Sequence, residues 1–138
     1  MVTDFRDLRV WEESMVLTER VYELVRDFPA DERFGLSSQI KRAAVSVPSC
    51  IAEGNARRST RDYLRFLSMA TGSLAEVQTQ ILLSARLGFA APAAADACLA
   101  QHRSVAMLLQ ALVKSLRSKS SQVATTCNSP FPVPRSRS

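Results

Sequence analysis

Glycine is scarce in this chain, with four among 138 residues, at Gly35, Gly54, Gly72 and Gly88. Long stretches hold neither glycine nor proline and are rich in Ala, Leu, Arg and Glu, a composition of helices rather than strands. Histidine occurs once, as His102, and the position three residues before it is Leu99. The Glu-x-x-His pairs of a di-iron bundle are therefore excluded. The three cysteines, Cys50, Cys98 and Cys127, are far apart and form no CxxC pair. That argues against a zinc site and predicts unpaired thiols in a reducing cytoplasm. No apolar run approaches the roughly 18 residues of a membrane span. The opening Met-Val-Thr-Asp-Phe-Arg-Asp is too charged for a signal peptide. There is no Walker loop and no GxGxxG, and nothing supports a Ser-His-Asp arrangement. No metal, cofactor or membrane is expected, and no enzymatic activity.

What the chain does have is apolar content and segregated charge. Hydrophobic residues make up 46% of it, enough for one domain with a modest core. The formal net charge is +5. Residues 1–28 carry four arginines against seven acids, and residues 33–65 carry seven bases against two acids. Beyond Asp96 there are six bases and no acid. Such a basic chain either seeks a polyanion or is simply a soluble basic protein.

Four segments show helical periodicity. In residues 7–28, Trp11, Met15, Thr18, Tyr22 and Val25 form one stripe, and Leu17, Val21, Leu24 and Phe28 form another beside it. Pro29 ends this segment. The second begins after Gly35 with Ser37 or Ser38 as N-cap, and aligns Leu36, Ile40, Ala43, Ala44, Val47, Ile51 and Gly54. Pro48 inside it should crowd the Ala44 carbonyl and kink the helix. Gly54-Asn55 is expected to end it in left-handed geometry. The third runs from Ser59 or Thr60 to about Leu87, about 42 Å, and closes at Gly88. It repeats Tyr63, Leu67, Ala70, Leu74, Val77, Ile81 and Ser84 at four-three spacing. A neighbouring stripe, Leu64, Ser68, Thr71, Ala75, Gln78, Leu82 and Ala85, is small enough for a second backbone to approach. The fourth follows Pro92 and carries Cys98, His102, Val105, Leu109, Leu112 and Leu116.

These segments and their short links predict an all-α, antiparallel up-down-up-down four-helix bundle over residues 1–117, followed by a disordered basic Ser/Pro-rich tail at 118–138. Two apolar stripes on the first and third segments exceed what one bundle covers, so a homo-oligomer is expected. His102, Cys50 and Cys98 read as buried residues. Glu53 reads as an i, i+4 partner of Arg57, and Glu76 as a carboxylate in a small-residue stretch; a catalytic role for either is the remoter alternative.

Arg57, Arg58, Arg61 and Arg65 cluster around the junction of the second and third segments, with Lys41 and Arg42 on the flank of the second. Guanidinium forks match phosphate oxygens, so these six residues are the candidate nucleic-acid-binding set, holding backbone without reading sequence. The plainer alternative is a solvated patch paired with Glu12, Glu13 or Asp62.

One stretch carries a resemblance. It comprises Ser38-Gln39-Ile40-Lys41-Arg42-Ala43-Ala44-Val45-Ser46-Val47-Pro48-Ser49, then Ile51-Ala52-Glu53-Gly54, Gly72-Ser73-Leu74-Ala75-Glu76 and Thr79-Gln80. Together with the opening Asp7-Leu8-Arg9-Val10-Trp11, it resembles the four-helix proteins encoded by intervening sequences in bacterial 23S rRNA genes. Cys50 stands where that family usually has asparagine, and Gln78 where it usually has glutamate. The family in turn resembles the accessory variability determinant of diversity-generating retroelements. The resemblance implies a homopentameric barrel, a basic surface that engages RNA or DNA, no established enzymatic role and, on the retroelement side, a reverse transcriptase as partner. The expected function is thus a homo-oligomeric nucleic-acid-binding bundle. The alternative is a protein-protein adaptor to which nucleic acid is irrelevant.

Overall fold

A computed structural model describes residues 4–126, with side chains as far as residue 120. Among the described residues there are four α-helices and no strand: α1 (Arg9–Val25), α2 (Leu36–Asn55), α3 (Thr60–Arg86) and α4 (Pro92–Thr126). Short 3-10 turns at Phe5–Asp7 and Ala30–Glu32 lead into α1 and α2. α1 packs on α2 and α4, and α3 packs on α2 and α4. Consecutive helices that lie side by side across such short links run antiparallel, which makes a four-helix bundle. α4 continues through Ser118 to Thr126, beyond the end expected at residue 117. The rest of the expected tail, residues 127–138, lies outside the described residues.

The buried stripes follow the expected period. Leu67, Ala70, Leu74, Val77 and Ile81 of α3 face Cys98, Val105 and Leu109 of α4, Leu17 and Val21 of α1, and Ile40, Val47 and Ile51 of α2. Fully burying each large aliphatic side chain contributes about 1.5–3 kcal/mol. His102 is buried among them, with Nε2 2.8 Å from the Leu74 carbonyl oxygen. The two stripes of α1 are buried unequally. Leu17, Val21 and Leu24, with Phe28 just beyond the helix, enter the core together with Val25 of the other stripe, whereas Tyr22 of that stripe is exposed.

Local chemistry explains the helix ends. α3 starts at Thr60, one of the two expected positions, and Ser59 caps it by accepting the Asp62 N–H at 3.1 Å. Gly88 (φ 78°) ends the α3 link in left-handed geometry, with Phe89 N–H bonded back to the Ser84 oxygen and Gly88 N–H to the Ala85 oxygen, a Schellman closure. The start of α2 differs from expectation. Neither Ser37 nor Ser38 caps it; Glu32 reaches forward and its Oε1 accepts the Leu36 N–H at 3.0 Å. Pro48 lies within an unbroken α2. Its missing N–H would orphan the Ala44 carbonyl, but Thr18 Oγ1 of α1 lies 3.2 Å from that oxygen, sharing its proton with the Ser14 oxygen at 2.9 Å.

Gly54 is not left-handed. It is a helical residue where a Cβ would stand 2.8 Å from Phe66 Cβ and 3.0 Å from Tyr63 Cδ1. Absence of a side chain there lets α3 close on α2.

Candidate nucleic-acid interface

That close approach builds the basic end of the molecule. Phe66, seated over Gly54, is buried, and the guanidinium carbons of both Arg57 and Arg65 lie 4.7 Å from its ring centre. A cation over an aromatic ring is favourable by about 0.5–1 kcal/mol at exposed sites. Arg57 also donates from Nη2 to Glu53 Oε2 at 2.9 Å, the expected i, i+4 pair, and Arg65 stands 3.8 Å from Asp62. Neither Glu12 nor Glu13 takes part; Glu13 Oε1 instead accepts from Gln101 Nε2 at 3.0 Å. Arg58 and Arg61 are exposed and make no ion pair among the described residues. Asn55 Nδ2 donates to the Tyr63 hydroxyl at 3.3 Å, and half-burial of Tyr63 raises its pKa, the Asn55 bond opposing.

Antiparallel packing of α4 on α3 adds cations from the far end of the sequence. Lys119 joins Arg57, Arg58 and Tyr63 around a cleft of about 360 Å³. Lys114 and Arg117 face Leu64, Ser68 and Thr71 of α3 across a neighbouring groove. None of these three was in the candidate set, and Lys119 fell within the expected tail. The signal for them was present as the run of bases without acids beyond Asp96.

Lys41 and Arg42 are not part of this pole. Thirteen residues of α2 separate Arg42 from its end at Asn55, about 20 Å, and Arg57 lies beyond that end. Lys41 Nζ sits 5.0 Å from the Tyr22 ring centre, and Arg42 Nη2 donates to Ser38 Oγ at 3.2 Å. Arg42 lines a polar cleft of about 280 Å³ between α2 and α3 together with Glu76 and Gln80. In that region Ser46 and Ser73 share a hydrogen bond of 2.9 Å, and the buried Oε1 of Gln80 has no partner. Glu53 is thus tied to Arg57, while Glu76 lines a cleft without a second carboxylate or a histidine among its lining residues. Among the described residues, no group of three or more His, Cys, Asp or Glu side chains is placed to hold a metal ion. Nor is any described helix long and apolar enough to cross a membrane.

Fold and surface together define a small helical bundle with one cationic pole. The chain belongs to the 23S rRNA-intervening sequence protein family, whose model matches residues 6–111. No curated protein matches it.

Proposed function

We propose that this protein is a non-enzymatic homo-oligomeric bundle that holds RNA or DNA by its phosphate backbone. The observation that carries this reading is the convergence of Arg57, Arg58, Arg61 and Arg65 with Lys114, Arg117 and Lys119 at one pole. Charges drawn from two distant parts of the chain sum there into a field suited to a polyanion. Lys41 and Arg42 contribute a separate, mid-body contact.

Self-association is supported by the outward side of α3. Met69, Leu83 and Leu87 are exposed, fall on one face by helical period, and flank the open Gly72. The family likeness supports five copies in a barrel, which would repeat the pole around a ring. By way of retroelement accessory proteins it also suggests a reverse transcriptase as a protein partner and the cytoplasm as the setting. The same apolar row would serve an adaptor that seats a partner helix.

Fluorescence anisotropy with a labelled oligonucleotide, read across a salt series alongside mass by light scattering, tests the proposal. Affinity should fall steeply with salt, and Arg57→Ala, Arg58→Ala and Arg61→Ala together should weaken it strongly, with a mass near five protomers. Binding that ignores salt and the triple variant would defeat the nucleic-acid reading. A protein partner retained after nuclease treatment would then favour the adaptor.

A further inference from the structure

We infer that the cleft at the basic pole is a phosphomonoester site, which takes the phosphorylated end of a nucleic-acid strand rather than its running backbone. This inference rests on the pole being a nucleic-acid interface, and adds the part of the polymer that the cleft recognises. The cleft, about 360 Å³, is walled on one side by Leu8, Leu112 and Leu116, which offer nothing to a phosphate. Its polar side gathers Arg57 and Arg58 from the link after α2 and Lys119 from α4, and no carboxylate is among the described residues that line it.

Three hydroxyls complete it. Ser59 Oγ accepts the Asp62 N–H, and Tyr63 Oη accepts from Asn55, so each keeps its own proton to donate; Thr60 stands between them in sequence. A site of cations and hydroxyl donors, enclosed on one side, suits a group with several acceptor oxygens and more than one charge. A terminal phosphate carries about −1.5 to −2 near neutral pH, against one for a diester. Arg61 and Arg65 do not line the cleft and lie further along α3, where the following nucleotides would run.

The test compares three RNA oligonucleotides of one sequence, bearing a 5′-phosphate, a 3′-phosphate or hydroxyls at both ends, by anisotropy on the full chain. One phosphorylated form should bind about tenfold more tightly than the hydroxyl form, roughly the effect of one good charge-assisted contact. Arg58→Ala with Lys119→Ala should erase that preference, so that all three bind alike, and more weakly than the hydroxyl form binds the parent because two backbone contacts go with it. Both residues are exposed, so the fold is not at stake. Equal binding of the three, or a preference that survives the double variant, overturns the inference and leaves the backbone reading standing. If no oligonucleotide binds, the backbone reading fails, and thermal unfolding with adenosine monophosphate against adenosine decides the cleft. A rise in Tm for the phosphate alone, lost in the double variant, upholds it; no rise ends it.

Discussion

Gly72 lies in the interior of α3 and Gly54 in the last turn of α2, and glycine in a helix interior costs up to about 1 kcal/mol relative to alanine. Only Gly54 has a reason within the subunit, because its missing Cβ is what Phe66 and Tyr63 occupy, whereas a Cβ at Gly72 would meet nothing within 4 Å. Gly54→Ala should therefore destabilise the fold by about 1–3 kcal/mol through overpacking, read as a lower Tm in thermal unfolding. It should also weaken the pole, since Phe66 carries Arg57 and Arg65. Cys98 offers a second test. Burial pushes its thiol up to about 11, with Arg20 pulling the other way. The unfolded thiol ionises near 9, so between pH 9 and 11 the folded state holds the proton longer and stability must fall as pH rises. Cys98→Ala should make that decline shallower in denaturant titrations, while leaving the profile below pH 8 parallel to the parent. An equal slope in both proteins would show that the thiol does not contribute.

At the scale of elements, α2 survives an internal proline because another helix supplies a donor. Thr18 of α1 reaches the Ala44 oxygen that Pro48 cannot serve. Thr18→Val should cost about 1 kcal/mol by leaving that acceptor without its donor. In a Pro48→Ala background the restored N–H can serve Ala44, so the same change should cost distinctly less. Urea unfolding of the four proteins in a double-mutant cycle reads the coupling, and additive costs would show that the hydroxyl plays no such part. Element ends were legible where a cap lies in the local sequence, as at Ser59 and Gly88. They were not at α2, where Glu32 folds forward from a separate turn to take the place expected of Ser37 or Ser38. Gly54-Asn55 did mark the end of α2, at Asn55, but not by left-handed geometry: Gly54 stays helical, and its lack of a side chain serves the approach of α3.

Over the whole molecule, four helices in cyclic order bring the stretch of α4 from Gln110 to Lys119 back beside the first turns of α3. The pole therefore has two halves of separate origin. Replacing Lys114, Arg117 and Lys119 by alanine should weaken oligonucleotide binding and reduce the slope of log K against log salt by about 2–3, at roughly 0.7–0.9 for each phosphate that is no longer neutralised. Lys41→Ala with Arg42→Ala, some distance along α2, should change that slope less. A slope indifferent to the α4 triple variant would confine the interface to α2 and α3. The same packing order explains why α1 shows two apolar stripes and buries only one fully. α2 and α4 cover Leu17, Val21 and Leu24, and Tyr22 is left outside under Lys41.

Helical periodicity, four segments, short links and a buried His102 followed from the order of residues alone, because amphipathic spacing and proline or glycine punctuation act over a few residues. So did the arginines at the α2–α3 junction, which are neighbours in sequence. The partition of the six candidate cations, the addition of Lys114, Arg117 and Lys119, the donor to Ala44 and the close approach at Gly54 were settled only by tertiary structure. Each depends on which helix lies beside which and at what register, a matter of packing between residues tens of positions apart that no local pattern encodes.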